Sequence, residues 1–205
     1  MKEKARVAVL VSGGGTNLQA IIDAAAAGKI PHGEIALVIS NKAGAYALER
    51  ARAAGIPEKV ILKADLGSRE AFEKAVADAL DFAGIDLIVL AGFMAILSPW
   101  FCEKYPERII NVHPSLIPAF CGEGFYGLKV HEAALGKGVK VTGATVHFVN
   151  EIPDGGRIIA QKAVEVLDSD TPETLQRRVM EQAEWIILPQ SVEKVCGKIL
   201  DLKEE

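Results

Sequence analysis

Apolar residues along this chain fall into short unbroken runs, separated by stretches in which they return every three or four positions. Residues 6–12 (RVAVLVS), 34–40 (EIALVIS) and 86–91 (DLIVLA) are near-continuous apolar runs of strand length, with a shorter run at 59–62. Between them, 16–27 and 45–54 carry helical spacing and end at Gly28 and Gly55. A further helix is predicted over 68–83, where Ser68 can cap the first turn and Glu70 and Glu73 suit its dipole. A short helix near 98–105 leads into a strand over 108–113. Apolar strands alternating with helical patterns predict a parallel sheet covered on both faces, a doubly wound α/β arrangement.

Past His113 the rhythm changes. Residues 122–127 are glycine-rich and aromatic, which predicts a mobile loop, and 128–135 can form a helix. Residues 140–149 and 157–166 read as two long strands joined hairpin-fashion across 150–156, an antiparallel pair. Thr171 and Pro172 open a long C-terminal helix, and Pro189 is expected to kink or interrupt it.

The strand over 108–113 carries the first candidate chemistry. Asn111 and His113 are two residues apart, so their side chains share one face, and Pro114 ends the ladder directly after them. An amide donor beside an imidazole at a sheet mouth suits acyl chemistry. Gly13-Gly14-Gly15, between a strand and a helix, can cradle a phosphate with backbone N–H groups, although a tight structural turn has the same composition. A dinucleotide site fits less well, because Leu18 stands where the third glycine is needed and the second strand ends in Ser40-Asn41 rather than an acid. Asp154, in the connection between the last two strands, can orient or charge His113, but Asp-Gly is also a common turn.

Composition narrows the class. The chain has 205 residues, half of them hydrophobic, with 27 acidic against 23 basic residues and a formal charge of -4. That balance suits one domain with a full core and does not favour a nucleic-acid backbone as partner. Cys102, Cys121 and Cys196 are few and scattered, without a disulfide framework or zinc spacing, which predicts a reducing cytoplasm and no metal. No run reaches the roughly 18 apolar residues of a membrane helix, and no signal peptide is expected.

Five blocks, in order, resemble the glycinamide ribonucleotide transformylase family: SGGGTNLQAIID at 12–23, SREAF at 68–72, LAGFMAILSP at 90–99, NVHPSLIP at 111–118 and VTGATVHFVNEIPDGG at 141–156. The resemblance implies formyl transfer from 10-formyltetrahydrofolate to the amine of glycinamide ribonucleotide in de novo purine biosynthesis, by direct attack through a tetrahedral intermediate. It implies catalytic Asn111, His113 and Asp154, and ribonucleotide contacts from Gly15, Thr16, Asn17, Leu18, Glu181 and Glu184. Folate contacts would come from Arg69, Met94, Ala95, Ile96, Leu97 and Asn111, and from Asn150, Glu151, Ile152, Pro153 and Asp154. It further implies one domain over 1–205, with a phosphate-binding half (1–110) and a catalytic, folate-binding half (111–205), acting as monomer or homodimer on small molecules, with no membrane or nucleic acid. Ala95 replaces an arginine that often holds the folate tail, Arg157 a proline and Trp185 a histidine, and 121–126 forms a small insertion expected to shape the site's mouth. His131 and His147 are read as structural. The alternatives are a formyltetrahydrofolate hydrolase or another amine acceptor, which in related enzymes come with further domains or longer chains, and a non-catalytic folate or nucleotide-binding module.

Overall fold

The computed structural model describes residues 4–204. Its strands are β1 (Ala5–Val11), β2 (Gly33–Ser40), β3 (Glu58–Val60), β4 (Leu87–Leu90), β5 (Ile109–His113), β6 (Val141–Phe148) and β7 (Ile158–Glu165). They form one sheet in the order β3-β2-β1-β4-β5-β6-β7. Pairs from β3 to β5 are parallel, and β6 and β7 add antiparallel to that edge. The helices are α1 (Thr16–Ala26), α2 (Tyr46–Ala53), α3 (Lys63–Leu66), α4 (Arg69–Phe82), α5 (Pro99–Lys104), α6 (Leu128–Lys137), α7 (Pro172–Val179) and α8 (Trp185–Glu204).

The unbroken apolar runs are explained by two cores, one on each face of the sheet. Alternate residues of β1 divide between them: Val7, Val9 and Val11 join one, while Ala8 and Leu10 join the other. The first core takes Leu18 and Ile21 of α1 with Leu188 and Val192 of α8; the second takes Phe72, Val76 and Leu80 of α4 with Phe101 of α5. The doubly wound, mostly parallel sheet with its antiparallel strand pair and long C-terminal helix is therefore as expected from the pattern. Among the described residues no helix is long and apolar enough to cross a membrane.

Local signals explain the helix starts. Ser68 accepts from the Ala71 N–H, Ser98 accepts from Phe101 with Pro99 behind it, and Thr171 and Thr174 close a reciprocal box at the start of α7. α1 differs: Gly15 precedes it with φ 72° and no side chain caps it. Two features depart from expectation. The single turn α3 was not anticipated. Pro189 does not break its helix; α8 runs through it, and the irregularity lies upstream, where Met180–Glu184 forms a π-helical turn between α7 and α8. Pro189 sits one turn into α8, so its ring and missing N–H face the carbonyl of Trp185, where the π turn has just ended.

Strand order reverses between β1 and β4, since β2 lies on one side of β1 and β4 on the other. In open α/β sheets the crevice at the carboxyl ends beside such a reversal is where ligands bind. Leu10, Leu90, Asn111 and His147 lie level with one another across β1, β4, β5 and β6. The loops that leave β1, β4 and β5 consequently converge on one edge.

Candidate active site

β5 delivers the central pair. Ile110 and Val112 point into one core and Ile109 into the other, which puts Asn111 and His113 on the Ile109 face, at the strand's carboxyl end. His113 is buried and Asn111 half-buried. The antiparallel register sets His147 opposite Asn111, and Asn111 Nδ2 lies 3.2 Å from His147 Nε2.

Asp154 reaches the same place from the β6–β7 connection. The chain makes a tight return there: a Cβ on Gly156 would lie 1.7 Å from the Phe148 carbonyl oxygen, so only glycine allows Phe148 N–H to bond Arg157 O at 2.9 Å. Asp154 itself holds φ 55°, a left-handed conformation that Asp and Asn adopt more readily than other side-chain-bearing residues. Its Oδ2 lies 3.4 Å from His113 Nδ1, and its Oδ1 lies 3.5 Å from His147 Nε2. The same Oδ2 accepts from Gly122 N–H at 2.8 Å.

Hydrogen bonding assigns the imidazole roles. His147 Nδ1 donates to the Phe148 carbonyl at 2.8 Å, so a neutral His147 presents a bare Nε2 that accepts from Asn111. His147 thus fixes which way the Asn111 amide faces. His113 Nε2 donates to the Phe120 carbonyl at 2.9 Å, which leaves Nδ1 toward the carboxylate. Burial pulls the His113 pKa below its ordinary value, against the Asp154 charge and the Phe120 hydrogen bond, which raise it, while His147 adds a further lowering. Burial raises Asp154, but the two neighbouring imidazoles and the Gly122 N–H outweigh it and hold the carboxyl below its usual range. The result is a largely neutral imidazole beside an ionised carboxylate, ready to gain a proton whenever negative charge develops nearby.

The segment after His113 folds across this cluster. Thr145 Oγ1 donates to Ser115 O at 2.7 Å and accepts from Ile117 N–H at 3.1 Å, tying the segment to β6. Phe120 takes φ 49° and turns its carbonyl onto His113, and two residues later Gly122 turns its N–H onto Asp154. The insertion expected to shape the mouth does begin at the site itself. Cys121 donates instead to Pro118 O, at 3.3 Å.

The glycine loop leaves β1 at the same edge. Among the described residues the N–H groups of Gly14, Gly15, Thr16 and Asn17 donate to no protein acceptor, and they open onto the positive end of α1. Leu18 buries its side chain completely, so it offers only its backbone. Asn17 Nδ2 donates to Glu184 Oε2 at 2.7 Å, and Thr16 touches Met180, which brings the π turn against the loop. Glu181 lies on the outer side of that turn, exposed and paired with Arg177 at 2.8 Å. The glycine loop and the π turn therefore meet at Glu184 rather than at Glu181.

Glu184 is buried, and that burial pushes its pKa up to about 7 despite the Asn17 hydrogen bond, which lowers it. A carboxyl raised in the folded state contributes stability below its unfolded pKa near 4.5 and loses it as pH rises through about 7. Glu184→Gln keeps an acceptor for Asn17 and removes the titration. Urea unfolding is expected to show the wild type losing up to about 3 kcal/mol relative to the glutamine variant between acid and mildly alkaline pH. A gap that does not change with pH would remove the raised carboxyl.

On the other side of His113, the segment after β4 exposes Met94 (53%) and Ile96 (63%), and the β6–β7 connection exposes Ile152 (58%). Ala95 packs against the second core and Leu97 is buried within it. Asn150 Oδ1 accepts from Ile152 N–H at 3.1 Å, shaping the turn that carries exposed Glu151 and Pro153. Arg69 donates from Nη2 to Ile96 O at 2.8 Å and from Nε to Glu73 at 3.1 Å. Buried Glu73 also accepts from Ser98 N–H at 2.7 Å, and Ser12 Oγ accepts from Met94 N–H at 2.8 Å. The exposed apolar strip is thereby pinned at its two ends and its middle.

Two participants escaped sequence reading. His147 is expected from the sequence to be structural, and its place opposite Asn111 follows from register alone. Glu73 was read only as a charge suiting a helix dipole, whereas it lies buried beneath the apolar strip. His131 is buried, as a structural residue would be, with neither ring nitrogen hydrogen-bonded.

Comparison with known proteins places this geometry. The formyl transferase family profile matches residues 5–192. A phosphoribosylglycinamide formyltransferase of Haemophilus influenzae is 43% identical over 199 residues, covering 97% of this chain and 91% of that protein. The trifunctional purine biosynthetic protein adenosine-3 of Gallus gallus is 46% identical over 203 residues, which span 98% of this chain but only 19% of that longer protein. The crystal structure of glycinamide ribonucleotide transformylase 1 from Symbiobacterium toebii superposes with a TM-score of 0.90 at 44% identity, covering 97% of this chain and 90% of that one. With the family profile running from the start of β1 into α8, and a relative matched over nearly its whole length, the chain belongs to the formyl transferase family.

Proposed function

We propose that this enzyme transfers a formyl group from 10-formyltetrahydrofolate to the amine of glycinamide ribonucleotide, as a step of purine biosynthesis. One observation carries the reading: Asn111, His113 and Asp154 converge between a loop of free N–H groups and an exposed apolar strip. The loop at Gly15, Thr16, Asn17 and Leu18 suits a phosphate, with Glu184 and Glu181 toward the ribose side. The strip at Met94, Ile96 and Ile152 suits the flat aromatic body of a folate, and Arg69 lies against that strip. We take the chain as one domain in which 1–110 carries the phosphate loop and 111–205 the catalytic Asn111, His113 and Asp154, with the folate strip drawing on both stretches through Met94, Ile96 and Ile152. The acidic net charge of -4 supports small-molecule substrates over nucleic acid. We take the enzyme to act in the cytoplasm as monomer or homodimer.

The formyl folate supplies an activated one-carbon unit at the formate oxidation level. The chain's residues must bring the substrate amine to it unprotonated, stabilise negative charge on the formyl oxygen, and move a proton off the attacking nitrogen. Asn111, its amide held by His147, is placed to donate one hydrogen bond to the developing oxyanion. His113, neutral at rest, gains basicity as that charge forms and so can take the proton from the attacking nitrogen and pass it to N10 of the folate, as the bond between N10 and the formyl carbon breaks and tetrahydrofolate leaves. Asp154 stays ionised beside it and stabilises the imidazolium. To serve in this way His113 must release the Phe120 carbonyl, so substrate entry displaces the segment after Pro118 from Nε2.

The test is a spectrophotometric assay with 10-formyltetrahydrofolate, run with and without glycinamide ribonucleotide. Folate release that requires the ribonucleotide is the expected result. Release without an acceptor identifies a hydrolase, and folate binding without release identifies a binding module.

A further inference from the structure

A loop that holds an anion through its backbone must aim N–H groups at the ligand and keep its carbonyls turned away. In this chain α2 turns them. Gly13 O accepts from Ala47 N–H at 3.0 Å, and Gly14 O accepts from Arg50 Nε at 2.8 Å. Gly15 packs so closely on the same helix that a Cβ there would lie 2.6 Å from Ala47 Cβ. Arg50 is itself anchored: Nη1 donates to Gln19 Oε1 of α1 at 3.0 Å, and its guanidinium lies 5.0 Å from the centroid of the Tyr46 ring.

The restraint matters because the loop is made of glycine. The peptide between Gly14 and Gly15 turns over through two torsions that both belong to glycines, so its reversal meets little steric resistance of its own. Reversed, it would point a carbonyl at the anion site and withdraw the Gly15 N–H. The Arg50–Gly14 bond opposes that reversal with a charged donor. Its planar fork spans Gly14 and Gln19 together, which a lysine ammonium cannot do.

We propose that Arg50 is a positioning residue for the substrate phosphate, holding the Gly14 carbonyl outward and tying it to α1 so that the loop's N–H groups converge on the anion. The proposal rests on the reading of 13–18 as the phosphate site in the function above. It predicts that Arg50 governs ribonucleotide affinity without acting on folate affinity or on the chemical step.

The experiment is steady-state kinetics of the full chain and its Arg50→Gln, Arg50→Lys and Gln19→Met variants, with inorganic phosphate as a competitor of the ribonucleotide. In Arg50→Gln the KM for glycinamide ribonucleotide and the inhibition constant for inorganic phosphate are expected to rise together, by about 10- to 100-fold. The KM for folate and kcat at saturating ribonucleotide stay within about twofold. Arg50→Lys falls close to the glutamine variant. Should Arg50→Gln fail to fold, Gln19→Met carries the test, because it keeps the charge and removes the anchor to α1, together with one hydrogen bond from Gln19 to Asp23 within α1; a rise of about threefold or more supports the proposal. Wild-type affinity in Arg50→Lys would mean that charge alone matters and would overturn the positioning role, as would unchanged constants in Arg50→Gln or Gln19→Met. If inorganic phosphate does not compete with ribonucleotide in the wild type, it is the phosphate-loop reading that fails. Competition in the wild type with unaltered variants refutes Arg50 alone.

Discussion

Replacing His113 by alanine is expected to lower turnover by about 10³-fold while the KM for glycinamide ribonucleotide changes by less than about threefold. The separation follows from where the groups lie. The candidate phosphate contacts are on the loop after β1 and the candidate ribose contacts on the π turn, joined by Asn17 and Glu184, and neither depends on the imidazole. His113 instead stands between the Phe120 carbonyl and the Asp154 carboxylate, with one nitrogen toward each. In the proposed mechanism its loss removes a buried group placed to exchange a proton with the substrate nitrogen while Asp154 stays charged. Alanine also leaves the Phe120 carbonyl without its donor, so the folded state loses some stability, and thermal unfolding must accompany the kinetics. Turnover comparable to wild type in a folded variant would remove His113 from the mechanism. A large rise in ribonucleotide KM would instead mean that the imidazole binds substrate.

Asp154→Asn is the second large effect, about 10² in turnover together with a displaced pH profile. Asparagine suits the site sterically, because position 154 holds φ 55° and Asn tolerates the left-handed region as Asp does. It retains a carbonyl oxygen for Gly122 N–H and removes only the charge. Burial already lowers the His113 pKa, and the Asp154 charge opposes that lowering. Without the charge the His113 pKa falls further, so the limb of the pH–rate profile that belongs to His113 moves to lower pH. At any given pH less imidazolium is available to hold the oxyanion, and the rate drops. An unaltered profile with unaltered turnover would leave Asp154 as a residue of the turn.

The two substitutions also separate chemistry from architecture. Asp154 reaches His113 only because Gly156 permits the chain to pass against Phe148 O, and no charge change disturbs that path. Both variants are therefore expected to keep the β6–β7 pairing, which far-UV circular dichroism can verify.

Much of this molecule is legible from residue periodicity and local chemistry. The apolar runs at 6–12, 34–40 and 86–91 became strands that feed a core on each face, the short run at 59–62 became the largely exposed edge strand β3, and Ser68, Ser98 and Thr171 began helices through hydrogen bonds to residues three positions on. Asn111 and His113 share a face because strand side chains alternate, and Gly13-Gly14-Gly15 opens a helix because no side chain there competes for its N–H groups. Those relations involve residues within a few positions of each other, where geometry is set by bond rotation and sterics. Other relations depend on packing. His147 meets Asn111 through the register of an antiparallel pair, Glu73 meets Ser98 across the second core, and Arg50 meets Gly14 across 36 positions. Pro189 announced a break in its helix, yet the chain placed its irregularity upstream in a π turn that presses Glu184 onto Asn17. The sequence by itself determined which elements form and which residues they carry at the sheet's carboxyl edge. Only the tertiary structure decided which distant side chains hold those residues in place, because burial, charge and hydrogen bonding depend on what folding brings within a few ångströms rather than on what lies adjacent in the chain.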